Sequence, residues 1–583
     1  METGVFFERN ISVLWEHNPG LSSRLSSAEA SLSKYAFLES RAGITIPAIK
    51  DGAGSARPLH STFDPVREAE RLVSGLTEKA GQEAPGFFVF LGLGGGFLPA
   101  AALKSGAVSQ VLVIDFDING IAGLFRSLEY ASLLGDPRFT LLVDPSPESV
   151  EGAILELYNP ALCGGIRVQP LLPRTDLDKK SFAAAAAAVQ RAVDKISSDY
   201  SVQAYFGTRW FSNIIRNLGA AAVQRNGPPQ VYEAAICAAG PSLDMQIPLL
   251  QERKELSGHK LFIISADTAF PALLGRGLKP DAVVSIDCQH ISYYHFVGTD
   301  CRDIPLFLDI ASPPLLAGFS RRPFFYSGGH PLAAYVSGKW LPLPPLDTSG
   351  GNVTHSCLSL AESLGARKIT VYGADFSYPA GRTYAKGTYI YPYFERRQER
   401  RRPLEAGMSS FLYRAPFLPP ETGRAPGGCG SPVCYETAAL RFYRKCFEQK
   451  IAAMEAEVAS APGLGVPLRT GKKPAARPSG FSPPSRAPVP ATPAAPSSAA
   501  AFLEQYRRDI MALPSRGGRG AAGICLRELD PAGRNVFLTL LPQMAAIRRR
   551  RPELAAGELV DAVKDYSAGE IERVLNSGLP GPP

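Results

Sequence analysis

Between residues 234 and 375 the chain holds six short apolar segments, four stopping at an aspartate (Asp267, Asp287, Asp309, Asp375) and two at a glycine (Gly240, Gly329). Strand-length segments separated by helix-length spacers specify a parallel α/β sheet, and ligands of such sheets bind beyond the carboxyl ends of the strands. The first segment, AAICAA (234–239), runs into Gly240, Pro241 and Ser242. Glycine is free to take positive φ, proline fixes φ, and Ser242 or Asp244 is suited to cap the helix that follows. The pattern predicts a strand, a phosphate-sized turn and a helix N-terminus, with Asp267, Asp287 and Asp375 exposed at neighbouring strand ends.

GPSLD (240–244), SADTA (265–269), VSIDCQ (284–289), TSGGNV (348–353) and YGADFSYP (372–379) follow one another in that order. Together they resemble the motility accessory factor family, flagellin glycosyltransferases that share a domain with MptE-like pterin pyrophosphokinases, and the same segment is similar to bacterial sialyltransferases. The resemblance implies transfer of a sialic-acid-like nonulosonic acid from a CMP donor to Ser or Thr hydroxyls of flagellin. The partners are then flagellin and the CMP-activated sugar, with no cofactor or metal beyond the donor itself.

Such a reaction must stabilise a departing nucleotide phosphate and an oxocarbenium-like sugar, and must accept a proton from the acceptor. On this reading Gly240, Pro241 and the Ser242 hydroxyl face the phosphate, and Asp267, Thr268, Asp287 and Gln289 hold the nucleotide. Thr348, Ser349, Gly350, Gly351 and Asn352 form a rim by the donor sugar. The histidine that serves as base in the similar sialyltransferases has no counterpart, because no histidine follows His355. His330, Asp287 and Asp375 are the candidates for the base, and His355, in the first turn of a helix expected from about 353 to 364, reads as a packing residue. Two other classes stay open: an ATP-dependent pterin pyrophosphokinase using the same turns with magnesium, and a flagellin-binding assembly factor without chemistry.

Ahead of this region, FFVFLGLGGGFLPAA (87–101) and VLVIDFD (111–117) place a glycine-rich loop after a strand, then a second strand ending in acid. That spacing cradles adenosine cofactors in Rossmann-like domains, but no catalytic motif follows, and the loop at Gly92 to Gly96 is expected to be structural. ITIPAI (44–49) reads as an edge strand, Asp64 and Pro65 as a helix start, and the alanine-rich run 179–198 and the segment 207–222 as two helices. An arginine-rich segment, TYAKGTYIYPYFERRQERRR (383–402), reads equally as a lid over an anion and as a solvated loop.

Length and composition set the limits. A chain of 583 residues accommodates about three domains. A net charge of +8 is too small for its size to argue for nucleic acid. The longest apolar run, 87–103, is broken by glycines and Pro99, so no membrane span is expected, and the compartment reads as cytoplasmic. The organisation expected is an N-terminal Rossmann-like domain (1–200), a central sialyltransferase-like or MptE-like domain (201–471), a disordered Pro/Ala/Ser linker (472–500) and a helical C-terminal domain (501–583). The linker composition cannot bury enough apolar surface to order itself. The helical tail is expected to be tethered, offering the apolar face of 535–547 to a partner.

Overall fold

The computed structural model describes residues 3–29, 34–50, 56–78, 85–223, 229–257, 260–419, 433–470, 496–514 and 529–578. Most of the expected linker, 471–495, lies outside them. The chain is α/β and forms two compact units, one of Met1–Thr208 with Asp509–Ala568, the other of Arg209–Arg508 with Gly569–Pro583.

In the first unit a small antiparallel sheet has the order β1 (Tyr35–Glu39), β2 (Thr45–Lys50), β3 (Ala56–Pro58). The expected edge strand is therefore the middle one, with Pro47 tolerated because its carbonyl still accepts from Leu59 N–H at 3.0 Å. The main sheet is parallel, β4 (Pro85–Leu91), β5 (Gln110–Asp115), β6 (Phe139–Val143) and β7 (Gly165–Pro170), in the order β6-β5-β4-β7. All of β4 is buried, as strands covered on both faces are. Its alternation sends Phe88 and Phe90 into one apolar layer and Phe87, Val89 and Leu91 into the other.

The two helices expected between 179 and 222 are one, Lys179–Ala222, since Gly207 alone does not break a run of good helix formers. The helical tail does not stand apart either. Val536, Phe537, Leu540 and Met544 of helix Pro531–Arg550 are fully or nearly fully buried, and Arg548 donates to the carbonyl of Ala161 at 2.9 Å within the first unit. Its apolar face packs inside the protein because helices of this polarity need a partner surface to be stable. A turn at 551–555 separates this helix from Ala556–Ser577.

The second unit holds a seven-stranded parallel sheet: β8 (Glu233–Cys237), β9 (Leu261–Ala266), β10 (Ala282–Ser285), β11 (Leu306–Asp309), β12 (Pro323–Tyr326), β13 (Lys368–Tyr372) and, beyond a small antiparallel sheet of β14 (Tyr378–Pro379), β15 (Phe417–Leu418) and β16 (Cys434–Thr437), β17 (Glu457–Ser460). Its order is β12-β11-β10-β9-β8-β13-β17. Successive strands run outward from β8 in one direction, and β13 and β17 add on the other side. The gap between β8 and β13 is thus the topological switch point, where the helices diverge and leave a crevice.

Candidate functional site

The turn after β8 is built on close backbone approach. Gly240 N–H donates to Gly373 O at 2.8 Å, and a Cβ on Gly240 would lie 2.4 Å from that oxygen and 2.5 Å from Asp375 Oδ2. Glycine is required there by space, and its φ is not positive. Gly373, at the end of β13, does take φ +66°, and its own Cβ would sit 2.1 Å from Ala238 O. The two strand ends are thereby pressed together across the switch point.

Asp375 holds them so. Its Oδ2 accepts Ser242 N–H at 2.8 Å, and its Oδ1 accepts Gly465 N–H at 3.1 Å and the Ser242 hydroxyl. Ser242 Oγ in turn accepts Leu464 N–H at 2.6 Å. Pro241 and Ser242 are buried, so the hydroxyl and amide that the sequence assigns to a phosphate are committed to Asp375. Burial pushes the Asp375 carboxyl upward, and the donors on Ser242 and Gly465 oppose it.

Above this clamp lies a cavity of about 270 Å³ bounded by Gly240, Thr268, Asn352, Asp375, Tyr384 and Tyr443, among others. Its volume is close to the lower end for small-molecule sites, roughly 300 Å³. Asn352 caps helix Val353–Ser363 by accepting His355 N–H at 3.0 Å, and Val353 and Thr354, in the first turn, line the cavity. The first amides of a helix lack intrahelical acceptors and favour an anion. Phe376, also on the wall, holds a left-handed φ of 44°, a strained backbone for a bulky residue. Sequence reasoning missed Tyr384 and Tyr443 as wall residues: in ETAALRFYRKCFEQKI (436–451) Tyr443 stands at helical spacing with Leu440 and Phe447 and reads as part of an apolar stripe, and Tyr384 reads as part of the arginine-rich segment.

Of the expected sugar rim, Asn352 reaches the cavity. Gly350 lies against the His355 ring, 2.3 Å from where its Cβ would be, and Gly351, at φ +68°, packs beneath Tyr443. Thr348 donates to Gly328 O at 2.9 Å, and Ser349 donates through its amide (3.0 Å) and hydroxyl (2.6 Å) to Asp347. Burial raises the Asp347 carboxyl, but the Ser349 donors and the His355 ring at 3.2 Å outweigh it and bring it down to about 2. His355 is buried and packs edge-on against Phe447.

The remaining strand ends form a row along the sheet edge. Asp267, after β9, is 1% exposed, contrary to the expectation of an open acid: it accepts Thr268 N–H at 2.6 Å and the Ser285 hydroxyl at 2.7 Å. Its carboxylate stays inside because local donors satisfy it. Asp287, after β10, is half-buried and accepts Gln289 N–H at 2.8 Å; burial raises its carboxyl, Gln289 opposes this and Asp267 adds to it. Asp309, ending β11, is buried, with Ala311 N–H at 2.7 Å. His330, after β12, places Nε2 3.5 Å from Asp309 Oδ1 and its ring 4.7 Å from that of Trp210. Burial pushes the Asp309 carboxyl up and His330 pulls it back. Asp309 was not among the sequence candidates; only its position at a strand end marked it. Three strand spacings at ~4.8 Å put Asp309 roughly 14 Å along the edge from the β8 turn.

In the first unit the glycine loop is filled from within. Leu93 N–H donates to Asp115 at 2.8 Å, Gly95 N–H to His60 Nε2 at 2.8 Å, and Tyr130 Oη–H to Gly94 O at 2.6 Å. Asp117 caps the next helix through Gly120 N–H at 2.8 Å.

Two sheets of Rossmann-like topology, the second with a crevice at its switch point walled by a helix N-terminus and tyrosines, define a tandem α/β protein with a candidate site at the carboxyl edge. The family model described as 6-hydroxymethylpterin diphosphokinase MptE-like matches residues 209–381. Two uncharacterised proteins of Treponema pallidum (strain Nichols) are similar, one 38% identical over 125 residues, 21% of this chain and 42% of that protein. The other is 34% identical over 153 residues, 26% of this chain and 71% of that protein. The chain thus spans less than half the length of the first relative and over two thirds of the second. Its fold is similar to the solved structure of MAf glycosyltransferase from Magnetospirillum magneticum AMB-1, with a TM-score of 0.54 and 13% identity over 99% of this chain and 95% of that one. The chain thus carries an MptE-like match over residues 209–381 within a fold like that of the MAf glycosyltransferase structure. Among the described residues no helix is long and apolar enough to cross a membrane.

Proposed function

We propose that the protein is a glycosyltransferase that moves a sialic-acid-like nonulosonic acid from a CMP donor to Ser or Thr of flagellin, in the cytoplasm, in support of flagellar assembly. The observation that carries this reading is the cavity at the switch point, with the first turn of helix Val353–Ser363 on its wall. The likeness in fold to a glycosyltransferase over nearly the whole chain supports it.

On this reading the cytosine lies among Tyr378, Tyr384 and Tyr443, and the phosphate faces the amides of Val353 and Thr354. The role assigned to the Gly240 turn becomes close packing beneath the nucleotide, with Asp375 as the clamp. The sugar extends along the strand ends toward Thr268, Asp287 and Gln289. The bond between the anomeric carbon and the phosphate oxygen breaks, the acceptor oxygen bonds to that carbon, and His330 takes the hydroxyl proton. Asp309 stabilises the resulting imidazolium.

Intact-mass analysis of flagellin from cells with and without this protein tests the reading, together with transfer by the purified protein. A mass gain of whole sugar units supports it, and flagellin of identical mass in both cells overturns it. The MptE-like domain favours a second reading, pyrophosphoryl transfer from ATP; magnesium-dependent release of AMP with a pterin acceptor would mark that activity.

A further inference from the structure

Residues 395–414 contain six arginines against three glutamates, a density the donor cavity does not use. Two short helices frame this stretch, Ile390–Glu395 and Leu404–Leu412. They are fixed to each other by Ile390, Tyr391, Phe394 and Met408, and Gly407 allows the approach, since a Cβ there would be 2.8 Å from the Phe394 ring.

Between them opens a cleft of about 80 Å³ walled by Arg397, Arg402, Arg414 and Ser410, and among the described residues no carboxylate lines it. The Arg397 guanidinium carbon lies 3.8 Å from the centroid of the Tyr393 ring, a cation–π contact that positions the group. A guanidinium so placed keeps its N–H fork available for a planar or tetrahedral oxyanion. At ~30 Å³ per water the cleft has room for roughly two or three, the space of a single oxyanion group. The framing helix is also tied to the donor cavity, because Tyr391 Oη–H donates at 3.1 Å to the carbonyl of Tyr384, a wall residue of that cavity.

We propose that this cleft is a second binding site, for one oxyanion, phosphate or carboxylate, separate from the cavity at the switch point. Arg397 beside Tyr393, Arg402 and Ser410 on the wall, and the packed Phe394 against Gly407 give it a defined shape. The tie to Tyr384 places it on the element that walls the donor cavity, where an acidic group of a substrate or acceptor is in reach.

Calorimetric titration of the full-length protein with inorganic phosphate, and separately with glutarate, tests this. Saturable binding of at least one is expected; phosphate alone points to a phosphate ester as the natural group, glutarate alone to a carboxylate. The double variant Arg397→Ala/Arg402→Ala is expected to weaken binding at least tenfold. Arg397→Lys/Arg402→Lys is expected to weaken it several-fold although charge is kept, because the fork is lost. Both variants change exposed side chains, and unchanged thermal melting checks that they fold. No saturable binding of either probe, binding unaltered in the alanine variant, or lysine variants that bind as the parent does would each overturn the proposal, the last by reducing the cleft to diffuse charge.

Discussion

The carboxylate of Asp375 takes the backbone N–H of Ser242 at 2.8 Å from 133 positions away in the chain. The first unit repeats the arrangement at shorter range, where Asp115 takes Leu93 N–H at 2.8 Å. In both sheets a strand-end aspartate gathers the amides of the neighbouring glycine turn, and the turn's anion is supplied by the protein itself.

Replacing Asp375 therefore strikes the fold before it strikes chemistry. Asp375→Ala leaves the Ser242 amide, the Ser242 hydroxyl and the Gly465 amide without their acceptor. At about 1–3 kcal/mol for each buried orphan, with incomplete additivity, a loss of at least ~3 kcal/mol in urea unfolding is expected. Asp375→Asn, which keeps one acceptor oxygen, is expected to lose less. A change below ~1 kcal/mol for the alanine variant would remove the clamp from the account.

His60 makes stability depend on pH. Burial lowers its imidazole from 6.5 to about 4, and its Nε2 accepts Gly95 N–H, a role only the neutral ring can fill. The folded protein thus binds fewer protons than the unfolded chain between these two values. Stability is full above the unfolded value and falls as pH drops through the window, by up to about 1.4 kcal/mol per pH unit. Urea midpoints measured from pH 7 to pH 4 should fall more steeply in the parent than in His60→Gln; equal slopes would assign the acid sensitivity elsewhere.

Much of this was legible in the sequence, and the illegible part has a physical cause. Period and composition place β9, β10, β11 and β13 at LFIISAD, AVVSID, PLFLD and KITVYGAD, because buried parallel strands are short continuous apolar runs that end where the sheet meets solvent. They do not say which way a terminal acid turns. Asp267 looks exposed by position and is buried through Ser285, a residue on the next strand. Tyr443 was hidden for a similar reason: Phe447 and Ile451 of its helix lie in the core and Leu440 reaches the cavity, while Tyr443 touches both, and periodicity alone gives a single stripe.

The pairing of His330 with Asp309 predicts the order of two catalytic defects. His330→Ala is expected to lower transfer by about 10²- to 10⁴-fold, the usual range for a general base, with CMP affinity unchanged. Asp309→Asn, which keeps the ring's neighbour but not its charge, is expected to fall short of that loss and to shift the pH–rate profile. Single-turnover rates with a synthetic acceptor separate the two. Full activity in His330→Ala would move the base to Asp287.

Helix Pro531–Arg550 of the tail is packed into the first unit, and one glycine tests this. Gly207, within helix Lys179–Ala222, faces Pro542 of helix Pro531–Arg550: a Cβ at 207 would lie 1.8 Å from the Pro542 carbonyl oxygen. Nearby, Arg550 donates to the Thr208 hydroxyl at 3.2 Å and Arg549 lies 3.3 Å over the Tyr205 ring, so the contact is continuous along the helices. Helix propensity alone favours Gly207→Ala by about 1 kcal/mol, because alanine loses less backbone entropy. The contact argues the reverse, since the obstruction is backbone and cannot swing aside, and overpacking of this kind costs about 1–3 kcal/mol. A net destabilisation is expected, seen as a lower urea midpoint. Gly569→Ala, in helix Ala556–Ser577 with nothing within 4 Å of the added carbon, should instead stabilise by up to about 1 kcal/mol. If both variants stabilise equally, the tail is not packed on this helix in solution, and its apolar face is free for a partner after all.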